Sequence, residues 1–167
     1  MEATLADKTL ETLFHETLKD IYYAERKIGS ALRKMARAAQ NPDLKAAFES
    51  HEQETHGQYE RLQDVFELMG KRAQGKTCDA IEGIIAEAQE IMEEFKGSPA
   101  LDAGLLAAAQ AVEHYEISRY GSLKSWAKQL GWTDAMEILD ETLQEEIATD
   151  KKLTDLAKTV VNAAAQR

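Results

Sequence analysis

The sequence predicts an all-α protein: two antiparallel hairpins of long helices, joined by a long crossover that contains a short fifth helix. Three observations carry this prediction. Apolar residues recur at helical spacing through most of the chain. The 167 residues are 30% charged and include only two prolines, a composition typical of long amphipathic helices. The length and the 44% hydrophobic content suit one compact domain, which we expect to span residues 1–167.

The first hairpin is predicted over about residues 5–70. Its first helix shows an apolar stripe that runs from Leu5 to Ala39. The segment "QNPD" ends this helix, because Asn41 suits the N-cap and Pro42 suits the first turn of the next helix. The second helix then continues to the break "GKRAQGKT".

The crossover is predicted to hold a helix over about residues 78–97. Asp79 followed by Glu82 makes a capping-box pattern at its start, and Gly97 is a typical residue for a helix end. A long connection of this kind is a feature of the ferritin-like version of the four-helix bundle. The sequence therefore predicts a ferritin-like four-helix bundle.

The second hairpin is predicted over about residues 98–165. Ser98 suits the N-cap of its first helix, and Gly131 suits the C-cap. The last helix is expected to start near Asp134, with Glu137 completing a second capping-box pattern.

The two hairpins resemble each other in sequence. Sliding the chain by 91 residues aligns Glu25 with Glu116 and Glu54 with Glu145, and it keeps the turn signals in register. An ancient duplication with approximate two-fold symmetry is therefore predicted.

Charge and cysteine content exclude several function classes. The net charge of −10 and the lack of a basic stripe argue against binding to nucleic acid or anionic membranes. Cations are the more natural partners, although an acidic surface can also serve solubility alone. The single cysteine, Cys78, excludes an internal disulfide and clusters of cysteine ligands. The start of the chain has no signal-peptide pattern and no apolar window reaches about 18 residues, so we expect a soluble, cytoplasmic protein.

Acidic residues interrupt the apolar stripe of every long helix. Antiparallel neighbours meet only where they lie equally far from their shared turn, and Glu25 and Glu54 satisfy this condition with a separation of 29 residues. Glu116 and Glu145 satisfy it with the same separation in the second hairpin. We therefore expect these side chains at one level of the core. The candidate ligands are Glu25, His51, Glu54, Glu113, Glu116 and Glu145.

A group of buried carboxylates must be neutralised, because each uncompensated buried charge costs several kcal/mol. Protonation, an arginine network or two divalent cations can do this. Arg26 and Arg61 fall off the inward stripes, and oxygen-rich ligation favours iron, with manganese as the alternative. The sequence thus favours two metal ions, while each single Glu can also be an edge residue and His51 can be a core-edge histidine. Tyr120 is expected to pack, although its hydroxyl can hydrogen-bond a ligand.

Several segments together resemble the YciE/YciF family of ferritin-like bacterial proteins. They are "LKDIYYAERKI", "FESHEQET", "CDAIEGII", "AAAQAVEHYEISRYGSL" and "ETLQEEIATDKKL", and they span nearly the whole chain. The resemblance implies a ferritin-like bundle, a homodimer, an association with bacterial stress and a ferroxidase-type di-metal site.

The chain departs from the wider di-iron carboxylate group, which uses Glu-x-x-His on one helix of each hairpin. Gly57 stands three residues after Glu54, and Ala148 stands three residues after Glu145, so both histidines are missing. His51 can substitute for one of them. The additional Glu113 is similar to an extra glutamate of rubrerythrin.

The leading hypothesis is a di-metal protein that oxidises Fe(II) with O₂ or peroxide. In it Glu25 and Glu116 are terminal ligands, Glu54 and Glu145 bridge the metals, and Glu113 is mobile. No catalytic residue apart from the ligands is predicted. The alternatives are a rubrerythrin-like peroxidase that needs an external reductase, and a non-enzymatic stress protein that metal merely stabilises.

Overall fold

The structure, a computed structural model, describes residues 8–166, and every regular element within them is helical. This confirms the all-α prediction, while Leu5 lies outside the described residues. The last long helix ends in a π-helical stretch, Ala157–Val161. The α-helices are α1 (Leu10–Ala38), α2 (Pro42–Leu68), α3 (Asp79–Glu94), α4 (Leu101–Gln129), α5 (Thr133–Leu156) and the short α6 (Asn162–Ala164).

The turn between α1 and α2 forms as its sequence predicts. Asn41 is the N-cap of α2, and its side-chain oxygen accepts hydrogen bonds from the backbone N–H groups of Asp43 and Leu44 at 2.9 and 3.0 Å. Pro42 occupies the first turn, where its missing N–H costs nothing. The α4–α5 turn contains Gly131 at a φ of 75°, a left-handed conformation that suits glycine.

The two predicted capping boxes do not form. The N-caps of α3 and α5 are Cys78 and Trp132, and neither makes a side-chain capping hydrogen bond. Glu82 instead accepts a hydrogen bond from the Tyr23 hydroxyl and pairs with Lys27 at 2.9 Å, so tertiary partners displace the local cap. Ser98 lies before α4, where its Oγ accepts a hydrogen bond from the Ala100 N–H at 3.1 Å.

The four long helices share one core. α1 packs on α2 and on α4, while α5 packs on α4 and on α2. The crossover helix α3 lies against α1 and α4 and buries Ile81 and Ala88 there. α3 approaches α4 closely at Gly104, where an added Cβ would lie 2.7 Å from Ile91 Cγ2. None of the described helices is long and apolar enough to cross a membrane.

The two helices of each hairpin run antiparallel, so residues equally far from the connecting turn lie at the same height along the helix axes. Lys124 Nζ contacts Asp140 at 2.7 Å near the α4–α5 turn. Farther from the turn, Gln110 donates to Thr154 at 2.8 Å. Between these two contacts, Glu116 therefore lies level with the Glu146 region of α5.

Candidate metal centre

One group of four side chains has the geometry of a metal site. His51 comes from α2, Glu113 and Glu116 from α4, and Glu146 from α5. One ligand atom from each side chain lies within 4.8 Å of those of the others. His51 is 3% exposed and the three glutamates are fully buried. Buried nitrogen and oxygen ligands at this spacing can hold a divalent cation.

A fifth buried side chain, Glu25, adds α1 to this group. Glu25 is 1% exposed, and its Oε1 accepts a hydrogen bond from the fully buried Tyr120 hydroxyl. Glu25 lies beside the group: after desolvation, the charge of Glu146 raises the pKa of Glu25, and the charges of Glu146 and Glu25 raise the pKa of Glu116. All four long helices therefore contribute to a buried cluster of Glu25, His51, Glu113, Glu116 and Glu146, which we term the central cluster.

The central cluster is poorly satisfied by the protein itself. Buried polar atoms normally find hydrogen-bond partners, because an unpaired one costs roughly 1–3 kcal/mol. Among the described residues, the buried side-chain atoms that lack a partner come from these five residues and from Gln58. They include both carboxylate oxygens of Glu113, Glu116 and Glu146. Lone pairs left open in this way fit metal ligation, so the residues present suit a bound cation.

Burial raises the pKa values of three carboxylates in the cluster. Desolvation, followed by the charge of Glu146, raises the pKa of Glu25 to about 8. Desolvation, followed by the close contact with Glu146, raises the pKa of Glu113 to about 9. Desolvation and three neighbouring carboxylates hold the pKa of Glu116 well above its ordinary value. Without a cation, the cluster therefore retains protons at neutral pH.

His51 and Glu146 form the charged side of the cluster. Burial by itself lowers the pKa of His51, but Glu113 and Glu146 outweigh it and hold that pKa well above the ordinary value. Nδ1 of His51 lies 2.9 Å from Glu113 Oε1, and Nε2 lies 3.4 Å from Glu146 Oε2. Burial opposes ionisation of Glu146, yet its close contacts with Glu113 and His51 lower its pKa. These groups titrate as a unit.

Comparison with known proteins places the chain in a family. The model of the family "Domain of unknown function (DUF892)" matches residues 9–166. The chain belongs to the DUF892 family. Protein YciF of Escherichia coli K12 is 48% identical to this DUF892 member over 160 residues, which cover 95% of this chain and 96% of YciF.

Solved structures of relatives share the fold of this DUF892 member. The crystal structure of the E. coli stress protein YciF matches with a TM-score of 0.89 and 49% identity, covering 93% of this chain and 98% of that one. YcfI from Rhodopseudomonas palustris matches with a TM-score of 0.87 and 45% identity, covering 91% and 97%. The resemblance to the YciE/YciF family is thereby confirmed.

The structure of this DUF892 member brings together most of the predicted ligands, but it leaves two of them outside. Glu25, His51, Glu113 and Glu116 lie in the central cluster. Glu54 is exposed and Glu145 is half-buried. The prediction that Glu54 and Glu145 point into the core is therefore corrected.

Glu145 has a different partner. Arg61 holds its carboxylate by two hydrogen bonds of 2.8 and 2.6 Å, and Gln58 donates a third at 3.0 Å. Arg61 also donates to Thr142 at 3.1 Å. Arg61 thus lies off the inward stripe, as predicted. Because it binds Glu145, the Glu145 carboxylate also lies between α2 and α5 rather than in the core.

Thr55, not Glu54, occupies the inward-facing position on α2. Thr55 is buried, and its hydroxyl donates to the backbone oxygen of His51 at 2.9 Å. Because adjacent helical residues are about 100° apart, Glu54 then points outward. Its Oε2 accepts a long hydrogen bond of 3.4 Å from Thr149.

Glu146 is the cluster residue that the sequence reasoning missed. From Thr142, spacings of three and four residues both stay near one helix face, so Glu145 and Glu146 are equally compatible with the stripe. The offset of 91 residues does not by itself separate the two glutamates, but it relates the buried faces of α2 and α5 in the structure. It aligns Thr55 with Glu146 and His51 with Thr142, and all four of these side chains are buried.

Proposed function

We propose that this protein is a ferritin-like four-helix bundle that holds two divalent ions of iron and oxidises Fe(II) with O₂ or peroxide. The observation that carries the proposal is the central cluster: four carboxylates and one imidazole, buried together with unpaired lone pairs. Two divalent cations balance four ionised carboxylates if His51 is neutral. The abundance of oxygen ligands favours iron or manganese over copper.

Each residue has a distinct part in this proposal. Glu116 and Glu146 would hold metal from α4 and α5, since both belong to the four side chains whose ligand atoms lie within 4.8 Å of one another. Glu25 is a terminal ligand, which the Tyr120 hydroxyl orients. His51 and Glu113 complete the other end, where they contact each other at 2.9 Å.

The surrounding protein prepares this site. A bound metal pair supplies the one-electron redox steps that carbon, nitrogen and oxygen side chains lack. The apolar core excludes water from the ligands, which strengthens every charge interaction within the cluster. Cations displace the protons that Glu25 and Glu113 hold, since carboxylates bind metal in their ionised form.

The relative described as a stress protein supports a role in stress for this chain. Location in the cytoplasm remains a prediction from the sequence, and a homodimer remains an expectation from the family resemblance. The peroxidase variant needs an external reductase, because a single cysteine cannot hold a rubredoxin-type iron centre.

Elemental analysis tests the proposal. Protein purified without chelators, loaded anaerobically with Fe(II) and desalted, should hold about two irons per chain, as the charge balance requires. Exposure to O₂ or to peroxide should then produce ferric absorbance faster than in Fe(II) solution alone. Tight binding of metal without oxidation would favour the stabilised structural protein instead. Absence of stoichiometric metal would overturn both.

A further inference from the structure

A cavity between α2 and α5 includes one residue of the central cluster, His51, in its lining. It has a volume of about 190 Å³, and its lining includes Ser50, His51, Glu54, Glu145, Thr149 and Lys152. Three residues of the lining are buried, namely Ala47, His51 and Leu153. Of these three, His51 belongs to the central cluster, so the cavity borders a cluster side chain.

In the lining of this cavity, His51 has a ring nitrogen that makes no hydrogen bond. Its Nε2 is buried without a hydrogen-bond partner and lies 3.4 Å from Glu146 Oε2. Glu113, Glu116 and Glu146 themselves have no exposed surface. A cation that arrives from solvent must therefore reach the cluster past a cavity wall, and on this side the cluster residue in that wall is His51.

The two acidic residues at this cavity are not equivalent. Glu145 is neutralised by the bidentate contact with Arg61. Glu54 has only a long contact of 3.4 Å with Thr149 among its described hydrogen bonds, and it is exposed. Lys152 is exposed as well, and its long flexible side chain can leave the mouth. The Glu54 carboxylate is thus available to replace part of a cation's hydration shell.

A second cavity, between α1 and α2, reaches the cluster at Glu25. It has a volume of about 340 Å³, and its lining carries Arg26 and Arg33. The Glu52 carboxylate lies 3.5 Å from Arg33 Nε and offsets one of these charges. Guanidinium groups at the mouth disfavour the approach of a divalent cation.

We propose that divalent cations reach the central cluster through the α2–α5 cavity, with Glu54 as a transit ligand and His51 as the residue that passes them inward. This inference rests on the proposed function, because it requires a metal-binding cluster. Glu54 does not set the final affinity in this scheme. It sets the rate of uptake.

Stopped-flow uptake of Co²⁺, followed by its absorbance, tests the route without any oxidation. Glu54→Gln should slow uptake by roughly tenfold at low salt, and the difference should shrink at high salt, where charge attraction is screened. The final cobalt content after desalting should match that of the wild type. Glu52→Gln, at the other cavity, is the matched control and should leave the rate unchanged.

Two variants that narrow the cavities complement the two variants that remove a charge. Ala148 lines the α2–α5 cavity and Ser30 lines the α1–α2 cavity, and both residues are exposed. Ala148→Phe should slow Co²⁺ uptake, and Ser30→Phe should not. Equal uptake rates in wild type, Glu54→Gln and Ala148→Phe, with full cobalt content, would overturn the route alone. A wild-type protein that binds no cobalt would overturn the proposed function as well.

Discussion

Adjacent glutamates on α5 have opposite environments. Glu146 is fully buried beside His51, while Glu145 pairs with Arg61 on the flank of the bundle. The difference arises from a rotation of about 100° between neighbouring helical residues. Substituting the two residues in turn therefore shows whether metal affinity depends on a carboxylate inside the cluster or on one next to it.

Glu146→Gln should abolish metal uptake, and Glu145→Gln should retain it. Loss of Glu146 removes a ligand, and even the loss of outer residues that orient ligands weakens metal binding by about 10–100-fold. Isothermal titration with Co²⁺ measures both affinities. In Glu145→Gln the new amide oxygen can still accept hydrogen bonds from Gln58 and Arg61, so the fold is preserved. Equal affinities in the two variants would show that Glu146 is not a ligand.

Tyr120 offers a second test at the scale of one residue. Its hydroxyl donates to Glu25 inside the core, where both side chains are buried. Tyr120→Phe leaves Glu25 Oε1 unpaired in the metal-free protein, which should lower the free energy of unfolding by roughly 1–3 kcal/mol. Urea denaturation measures this loss. A metal-loaded sample should show a smaller loss, because the cation then satisfies Glu25, and an equal loss in both samples would argue against Glu25 as a ligand.

Helix ends depend on tertiary contacts as much as on local capping. Asp102, in the first turn of α4, accepts hydrogen bonds from the backbone N–H groups of Gln40 and Asn41 at 2.8 and 2.7 Å. This side chain is 8% exposed and ties the α1–α2 turn to the start of the second hairpin. The Gln40 side chain adds a hydrogen bond to the backbone oxygen of Ser98 at 2.8 Å, so the Asp102 carboxylate is one of two polar links between the hairpins that the structure shows at this turn.

Asp102→Ala should destabilise the protein by about 2 kcal/mol, because it leaves two backbone donors without a charged acceptor. Asp134→Ala is the control. Asp134 also lies in the first turn of a helix, but it is exposed and its predicted capping box does not form. Its loss should cost well under about 1 kcal/mol. Thermal unfolding compares the two, and similar losses would mean that Asp102 acts through the helix dipole alone.

The sequence could predict the elements well, because apolar periodicity and the "QNPD" turn are local signals. The predicted capping boxes at the starts of α3 and α5 were wrong. At α3, Glu82 binds Tyr23 and Lys27 instead of capping the helix. The sequence also failed to predict the rotation of α2 and α5. Spacings of three and four residues describe the same stripe, and only the packing of α2 on α5 decides that Thr55 and Glu146 face inward.

At the scale of the whole molecule, four helices hold a group of charges that none of them could stabilise alone. The metal-free protein must keep protons on the cluster, since the core offers few hydrogen-bond donors to its oxygens. This requirement couples folding to pH. Wherever the folded state binds more protons than the unfolded chain, the free energy of unfolding falls as the pH rises.

The metal-free protein should therefore lose stability as the pH rises from about 6 to about 8.5. Glu25 and Glu113 have pKa values raised to about 8 and about 9, so the folded state keeps protons that unfolded carboxyl groups have already released. His51, with a raised pKa, acts in the same direction above its ordinary value. The free energy of unfolding should fall by at least about 1 kcal/mol per pH unit, which urea denaturation at several pH values measures.

Two comparisons identify the cluster as the source of this slope. Glu113→Gln should make it shallower, because glutamine does not titrate while Glu25 and His51 still do, whereas Glu54→Gln should leave it unchanged, because Glu54 is exposed and outside the cluster. Saturating Co²⁺ should reverse the slope, since higher pH frees the ligands that the cation needs. If the metal-free protein were equally stable across this range, its carboxylates would already be ionised and compensated within the protein. The central cluster would then need no cation.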